Sequence, residues 1–457
     1  MTYPALRRLP SLAYLCIATA LIMWATSMMP KAFGQRAPKK RLSALKTFSA
    51  ATVQRAFTLR DFGSHVVKFG RLTGDRTVFA VFVQVDRTRE IRCITAMSLS
   101  DGSILWQRGT PNQRNFRTTG EIPVQVYDWN QDGIDDVIFY ENGQVHVVHG
   151  QDGSALLSTP AEQPYSFFIY ETKQFGGRAG LVLHGRTFTT LLGPELNTVW
   201  RNSNGFSHFP MALDIDDDGE PELLAGYILF RSNGSVVWNH ADLPAHNDAA
   251  DFGDVDCDGV RELAIATSSK SVLLKRSGEM LWRGKEHHAQ HITIGPFLAG
   301  TCEKQIAVID RDPDKKGILR LYSPQGKLLW RTEGHSNRAI MSQVQGWIPG
   351  IEQSLILVFR NLNSSPTLYD GSGNVVARLP FRPASKNKKS LKSESYEFVQ
   401  HFDADNDGTE EIFISNERAI WIYTNSSQLG LNSSVVKASQ GLPNPRIFNA
   451  TFYMGMQ

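Results

Sequence analysis

DVDCDGVRELAIA, residues 254–266, places oxygen side chains at its first, third, fifth and ninth positions and glycine at its sixth, then runs into apolar residues. The same pattern opens DWNQDGIDD at Asp128, DIDDDGEPE at Asp214 and DADNDGTEE at Asp403. Alternate oxygens with a glycine to turn the chain can fold round one hard cation, and such a set suits Ca²⁺ better than Mg²⁺, which keeps more of its water. Three or more carboxylates crowded into nine residues repel one another until a cation neutralises them.

An EF-hand is excluded. It needs glutamate at position twelve and a helix on either side. Position twelve is Phe139, Ala225, Ile265 and Ile414, and the flanks VIFY, LLAG, LAIAT and IFIS read as strands. The copies start 86, 40 and 149 residues apart (214 − 128, 254 − 214, 403 − 254). These steps correspond to two, one and three to four units of roughly 40–50 residues, a propeller-blade period. Units at 69–83, 170–185, 295–308 and 345–358 keep the apolar run without the acidic triplet, which brings the count to eight.

A second signature closes most units. SDGSILW ends at Trp106, LNTVW at Trp200, SNGSVVW at Trp238, RSGEMLW at Trp282 and SPQGKLLW at Trp330. A Gly or Asn turn between apolar stretches marks a β-hairpin, so each unit reads as strand, loop, strand, strand, turn, strand: one four-stranded antiparallel blade. The tryptophans are expected to pack between neighbouring blades, being large apolar units. The expected fold is all-β, one closed β-propeller over about residues 50–457 with eight blades, seven being the alternative, and the acidic loops between first and second strands. A terminal strand should close the ring, either the region before Asp61 or IFNATFY at 447–453, because an open ring leaves unpaired edges.

At this point the sequence resembles a known family. D-x-[DN]-x-D-G-x-x-[DE] followed by an apolar strand is similar to the FG-GAP or VCBS-type calcium repeat of integrin α-subunit propellers and many secreted bacterial proteins, over about residues 60–428, with the specific motif in four blades. The resemblance implies Ca²⁺ at up to four sites. By position it assigns Asp128, Asn130, Asp132 and Asp136; Asp214, Asp216, Asp218 and Glu222; Asp254, Asp256, Asp258 and Glu262; and Asp403, Asp405, Asp407 and Glu411. Backbone carbonyls at position seven would come from Ile134, Glu220, Val260 and Thr409. Three copies carry Glu at position nine, where the family more often has Asp.

The N-terminus reads as a targeting segment. Arg7 and Arg8 precede an apolar run from Leu9 to Met29, with small residues Ala32 and Gly34 near a cleavage point. Residues 1–34 are therefore a signal peptide or, alternatively, an N-terminal membrane anchor, since the run approaches spanning length; 35–49 form a basic linker. The expected location is secreted, periplasmic or cell-surface. Leu15 before Cys16 argues against a lipoprotein site. Cys93, Cys257 and Cys302 remain beyond that segment, an odd number that predicts no complete disulfide framework, with calcium and blade packing holding the fold. Cys257, at position four of its loop, should point away from the ion.

A net charge of +3 gives no electrostatic case for nucleic acid. The basic run 382–393 reads as a solvated loop, and the sequons at Asn363, Asn425 and Asn449 matter only in a eukaryotic setting. His208, His246, His287, His288, His291 and His335 fall just before first strands, in inter-blade segments that converge near a propeller axis, and form the candidate ligand face. A shared axial site for metal or acid/base chemistry is one reading of them and ordinary solvated loop histidines the other. No Ser/His/Asp signature, phosphate loop or HExxH is visible. Two functions follow: a calcium-stabilised module binding an extracellular protein or polysaccharide through that face, or a polysaccharide lyase resembling the eight-bladed rhamnogalacturonan lyases, which pair Ca²⁺ with a basic residue. The first is preferred, because no catalytic residues can be matched one by one.

Overall fold

The computed structural model describes residues 51–425 except 65, 76, 87, 113–121, 204–206, 209, 244–245, 313–315, 349–350, 361–364, 380–397 and 406–408, with backbone alone for 51–55. The targeting segment, the basic run 382–393, IFNATFY, Asn363, Asn449 and Asp407 therefore lie outside the described residues. Among the described residues no helix is long and apolar enough to cross a membrane.

Eight antiparallel sheets of four strands make an eight-bladed β-propeller. Blades 1 to 7 occupy 66–109, 124–160, 166–203, 211–239, 249–283, 289–336 and 340–378, each in sequence order. Blade 8 takes Phe398–Phe402, Glu411–Ser415 and Ala419–Asn425 as its inner three strands, and Ala51–Thr58 pairs antiparallel with the last of these as the outer one. Closure thus uses the strand before Asp61, which supplies the outer strand of blade 8 and joins the first and last described strands in one sheet. Asn425 is buried and donates its Nδ2 to Trp347 O at 2.8 Å, which removes that sequon from the accessible surface.

The strand sequences explain their depth. Second strands such as FAVFVQV at 79–85, ELAIA at 262–266 and LILVF at 355–359 are buried at every residue. They lie between neighbouring blades on both faces, so a continuous apolar run replaces alternation. Fourth strands such as LLWRTEGHS at 328–336 form the exposed outer rim, with mostly exposed and half-buried residues. The core is accordingly a series of clusters between adjacent blades. Phe69 of blade 1, for instance, packs on Phe402 and Phe413 of blade 8 with ring centroids 5.4 and 4.9 Å apart.

The tryptophans do pack between blades, through one repeated device. The indole N–H donates to a carbonyl in the last hairpin of the next blade: Trp106 to Gly150 (2.6 Å), Trp200 to Ser232 (2.8 Å), Trp238 to Arg276 (3.2 Å), Trp282 to Pro324 (2.8 Å) and Trp330 to Gly371 (2.8 Å). The ring lies on the turn glycine of that hairpin, Gly153, Gly234, Gly278, Gly326 and Gly373 respectively, all with positive φ. At the closure Phe57 takes the same place against Gly102.

Strand polarity assigns the two faces. Loops joining first to second strands and the last hairpins lie on one face; loops between blades and the middle hairpins lie on the other. A belt of contacts links successive first-to-second loops: Arg71 N donates to Asp135 Oδ2 (2.7 Å), Gln131 Nε2 to Gly177 O (2.8 Å), Lys173 Nζ to Asp218 O (2.9 Å) and Arg261 to Asp217 (2.8 Å). Lys304 N donates to Val255 O at 3.0 Å. The belt includes a covalent tie that the cysteine count did not anticipate: Cys257 of blade 5 is disulfide-bonded to Cys302 of blade 6, with Cα atoms 6.0 Å apart. The odd cysteine is Cys93, buried in blade 1. An odd total merely leaves one thiol over; it does not forbid a pair.

Candidate metal loops and a histidine cluster

The four acidic motifs all join first to second strands, in blades 2, 4, 5 and 8. Their backbone is bent the same way in the three fully described copies. Position four is left-handed at Gln131 (φ 64), Asp217 (φ 59) and Cys257 (φ 67), and position six is left-handed at Gly133 (φ 87), Gly219 (φ 77) and Gly259 (φ 84). The second of these needs glycine, since other residues occupy that region at a cost. With Cys257 turned outward at position four, its side chain reaches the neighbouring blade.

Each acid has a distinct duty. The position-one carboxylate accepts from the backbone N–H of position six: Asp128 Oδ2 from Gly133, Asp214 Oδ2 from Gly219 and Asp254 Oδ2 from Gly259, at 3.0, 3.0 and 3.1 Å. The position-five carboxylate accepts from position seven: Asp132, Asp218 and Asp258 from Ile134, Glu220 and Val260, at 2.9, 2.7 and 2.7 Å. Position nine is the buried first residue of the second strand, and its carboxylate reaches back to the backbone N–H of position two. Asp136 accepts from Trp129 (3.3 Å), Glu222 from Ile215 (3.3 Å), Glu262 from Val255 (3.1 Å) and Glu411 from Ala404 (2.9 Å). Glutamate thus serves at this position as aspartate does.

The residues present fit a hard dication. Ligand oxygens of Asp214, Asp216 and Asp218, of Asp254, Asp256 and Glu262, and of Asp403, Asp405 and Glu411 converge within 4.8 Å in each group. Asp214 Oδ1 is buried without a hydrogen-bond partner, a costly position for a carboxylate oxygen unless a cation meets it. Burial, then the neighbouring Asp132, pushes Asp136 up to about 6. Burial followed by the charges of Asp256, Asp258 and Asp254 pushes Glu262 up to about 7, and Glu222 is raised by burial and by Asp216 and Asp218. The blade 2 loop differs: Asn130 replaces a carboxylate and its Nδ2 donates to Asp132 Oδ2 at 2.9 Å, which relieves part of the repulsion internally.

The opposite face carries a site that the acidic repeats do not announce. Asp248, between blades 4 and 5, is almost wholly buried, and three imidazoles from consecutive inter-blade loops surround its carboxylate. His208 Nε2 and His246 Nε2 lie 3.2 and 3.3 Å from Oδ1, and His288 Nε2 lies 3.4 Å from Oδ2. Gln290 Nε2 donates to Oδ1 at 2.8 Å, and the Ser268 hydroxyl is 2.5 Å from Oδ2 and 2.9 Å from His246 O. Burial would raise the Asp248 carboxyl, but the imidazoles of His208, His246 and His288 beside it hold it far below the usual carboxylate range. A parallel bridge between Ser207 and Asn247 fixes the two loops side by side. Sequence reasoning gave the histidines but no companion carboxylate; the available signal was a histidine shortly before three consecutive first strands.

The remaining candidate histidines do not join this cluster. His287 is half exposed and pairs with Asp312 at 3.4 Å. Two expectations are corrected: His291 is buried inside the first strand of blade 6, paired in register with Ile309, and His335 is buried in its fourth strand against the Tyr369 ring. The first strand begins earlier, at Ala289, and the fourth ends later, at Ser336, than the apolar pattern suggested, so both imidazoles sit in the sheet rather than on a loop. His335 is pushed down to about 4 by burial and by Arg378.

No family model matches the chain, and no curated protein matches it in sequence. Solved structures do match in fold. The Vibrio cholerae biofilm matrix protein Bap1 superposes with TM-score 0.60 at 11% identity, over 82% of this chain and 91% of that one. A Bacillus licheniformis rhamnogalacturonan lyase gives 0.56 at 15% identity over 83% and 76%, and the exotype rhamnogalacturonan lyase YesX gives 0.55 at 16% over 82% and 74%. At such identities the likeness is one of fold.

Proposed function

We propose that this chain is an exported, Ca²⁺-stabilised propeller that binds an extracellular protein or polysaccharide through its inter-blade face. The observation that carries the reading is the division of labour between faces. Metal-type loops recur on one face, tied to one another in a rigid belt, while the other gathers histidines from three successive inter-blade loops round Asp248. A rigid scaffold with convergent polar loops suits recognition. Export is supported by the Cys257–Cys302 pair, since disulfides persist in oxidising compartments, and by the apolar N-terminal run. The FG-GAP or VCBS-type affiliation and the identity of the ion as Ca²⁺ belong to this proposal.

The shared fold keeps a lyase in view, but the same division weighs against it. Removing a proton beside a uronate requires the ion and the base at one sugar, whereas acidic loops and histidine cluster occupy opposite faces. The test is a screen of the calcium-loaded protein against immobilised polysaccharides and extracellular proteins, with absorbance followed for unsaturated sugar products. Binding lost in His208→Ala/His246→Ala at unchanged melting temperature, without product from the parent, is the expected result. Product formed by the parent would overturn the binding reading in favour of a lyase.

A further inference from the structure

We propose that His208, His246 and Asp248 form a site for a divalent transition ion, Zn²⁺ in the first place, separate in position and chemistry from the acidic loops. One ligand atom from each of the three residues lies within 4.8 Å of the others, and both imidazole Nε2 atoms face Asp248 Oδ1. Both His Nε2 to Asp248 Oδ1 separations, 3.2 and 3.3 Å, are longer than charge-assisted hydrogen bonds usually are. They match instead the edge of a tetrahedron about an ion with bonds of about 2.0–2.1 Å, roughly 3.3 Å. Imidazole nitrogen with one carboxylate is a donor set for Zn²⁺ rather than for a hard ion such as Ca²⁺, which takes oxygens.

The surroundings are those of a built site. Asp248 is buried and its carboxylate is aimed by Gln290 Nε2 on Oδ1 and the Ser268 hydroxyl on Oδ2. Ser268 holds a left-handed backbone (φ 56) while making that contact. The His288 Nε2 lies 3.2 Å from Gln290 Oε1 and 3.4 Å from Asp248 Oδ2, two acceptors. It therefore carries the proton and serves the outer shell, fixing the amide that in turn fixes the ligand carboxylate, as such partners do in zinc sites. His208 and His246 remain partly exposed, at 17% and 27% of their side chains, so an ion can enter from solvent and keep a position there for water or for an anionic group of a partner. The inference concerns the metal alone and does not depend on which partner the face binds.

The experiment is calorimetric titration of Zn²⁺ into the full exported chain, stripped of metal and then saturated with Ca²⁺, with Co²⁺ absorption as a second readout of tetrahedral nitrogen and oxygen ligation. One Zn²⁺ per chain should bind with Ca²⁺ present and raise the melting temperature. His208→Ala and His246→Ala should each weaken it at least about a hundredfold, and Gln290→Ala by about 10–100-fold. His240→Ala, in an exposed His/Asp pair elsewhere, should leave it unchanged. His246→Gln keeps a donor towards Asp248 but no imidazole, so loss of Zn²⁺ in that variant at the parent's melting temperature separates a lost ligand from a folding defect. The proposal is overturned if the Ca²⁺-saturated parent takes up no Zn²⁺, or if His208→Ala and His246→Gln bind it as tightly as the parent.

Discussion

The Trp282 ring lies so close on Gly326 that a methyl group there would sit 2.8 Å from the indole, and the same tryptophan donates its N–H to Pro324 O. Blade 5 thereby grips the hairpin of blade 6 by one apolar and one polar contact, both of which require the turn to lack a side chain at that point.

Gly326→Ala combines that clash with a left-handed φ of +76. It should destabilise the fold by about 2 kcal/mol or more, from overpacking and backbone strain together. Trp282→Phe, which keeps the apolar contact and loses the N–H, should cost less, about 1 kcal/mol. Denaturant melts of the two variants check the order; equal effects would mean that the turn glycine is indifferent to the ring.

Calcium removal should lower the melting temperature. An ion that binds only the native state stabilises it by about 2.7 kcal/mol per site at a free concentration one hundred times its dissociation constant. Asp256→Ala should reduce the calcium stoichiometry by one, because Asp254, Asp256 and Glu262 converge within a single loop. Calorimetry with unchanged stoichiometry would remove the metal assignment from this loop.

Cys302→Ser should destabilise the chain by roughly 2–4 kcal/mol, the usual range for a bridge closing a loop of this length; here 45 residues separate the partners. The parent should respond to reductant with a comparable shift, and Cys302→Ser should not. Cys93 is buried, so thiol titration of the native protein lacking residues 1–34, and with them Cys16, should find no reactive group.

Acid should weaken blade 3 through His184. Burial pushes this imidazole from 6.5 down to about 4, so the native state holds it neutral, between Thr189 and Ser207. The unfolded chain binds the proton first. The contribution is therefore complete above about pH 6.5 and is lost as pH falls towards 4, roughly 3 kcal/mol in all. Asp251 acts in the opposite sense: burial raises it to about 6, so its contribution is complete below its unfolded pKa and lost as pH rises through 6. Stability measured from pH 7 to 4.5 should fall less steeply in His184→Gln than in the parent. Parallel slopes would show that His184 titrates alike in both states.

Much was legible in the chain because it repeats. The spacing from Asp128 to Asp403, the apolar runs behind each loop and the Trp at the end of most units describe one local object several times over, and a four-stranded meander is set by local turn chemistry and by runs of β-forming residues. Eight copies of a blade, each with faces that only a neighbour can cover, determine a ring. What the sequence left open depends on which loops the ring brings together. Cys257 meets Cys302 because position four of the acidic loop faces the next blade, and His291 and His335 disappear into strands whose ends the apolar pattern did not mark. Asp248 gathers His208, His246, His288 and Gln290 from three blades. Only His246 is local to Asp248, two residues before it; His208 and His288 each lie 40 residues away (248 − 208, 288 − 248) and are brought in by the angle at which closed sheets are set about an axis.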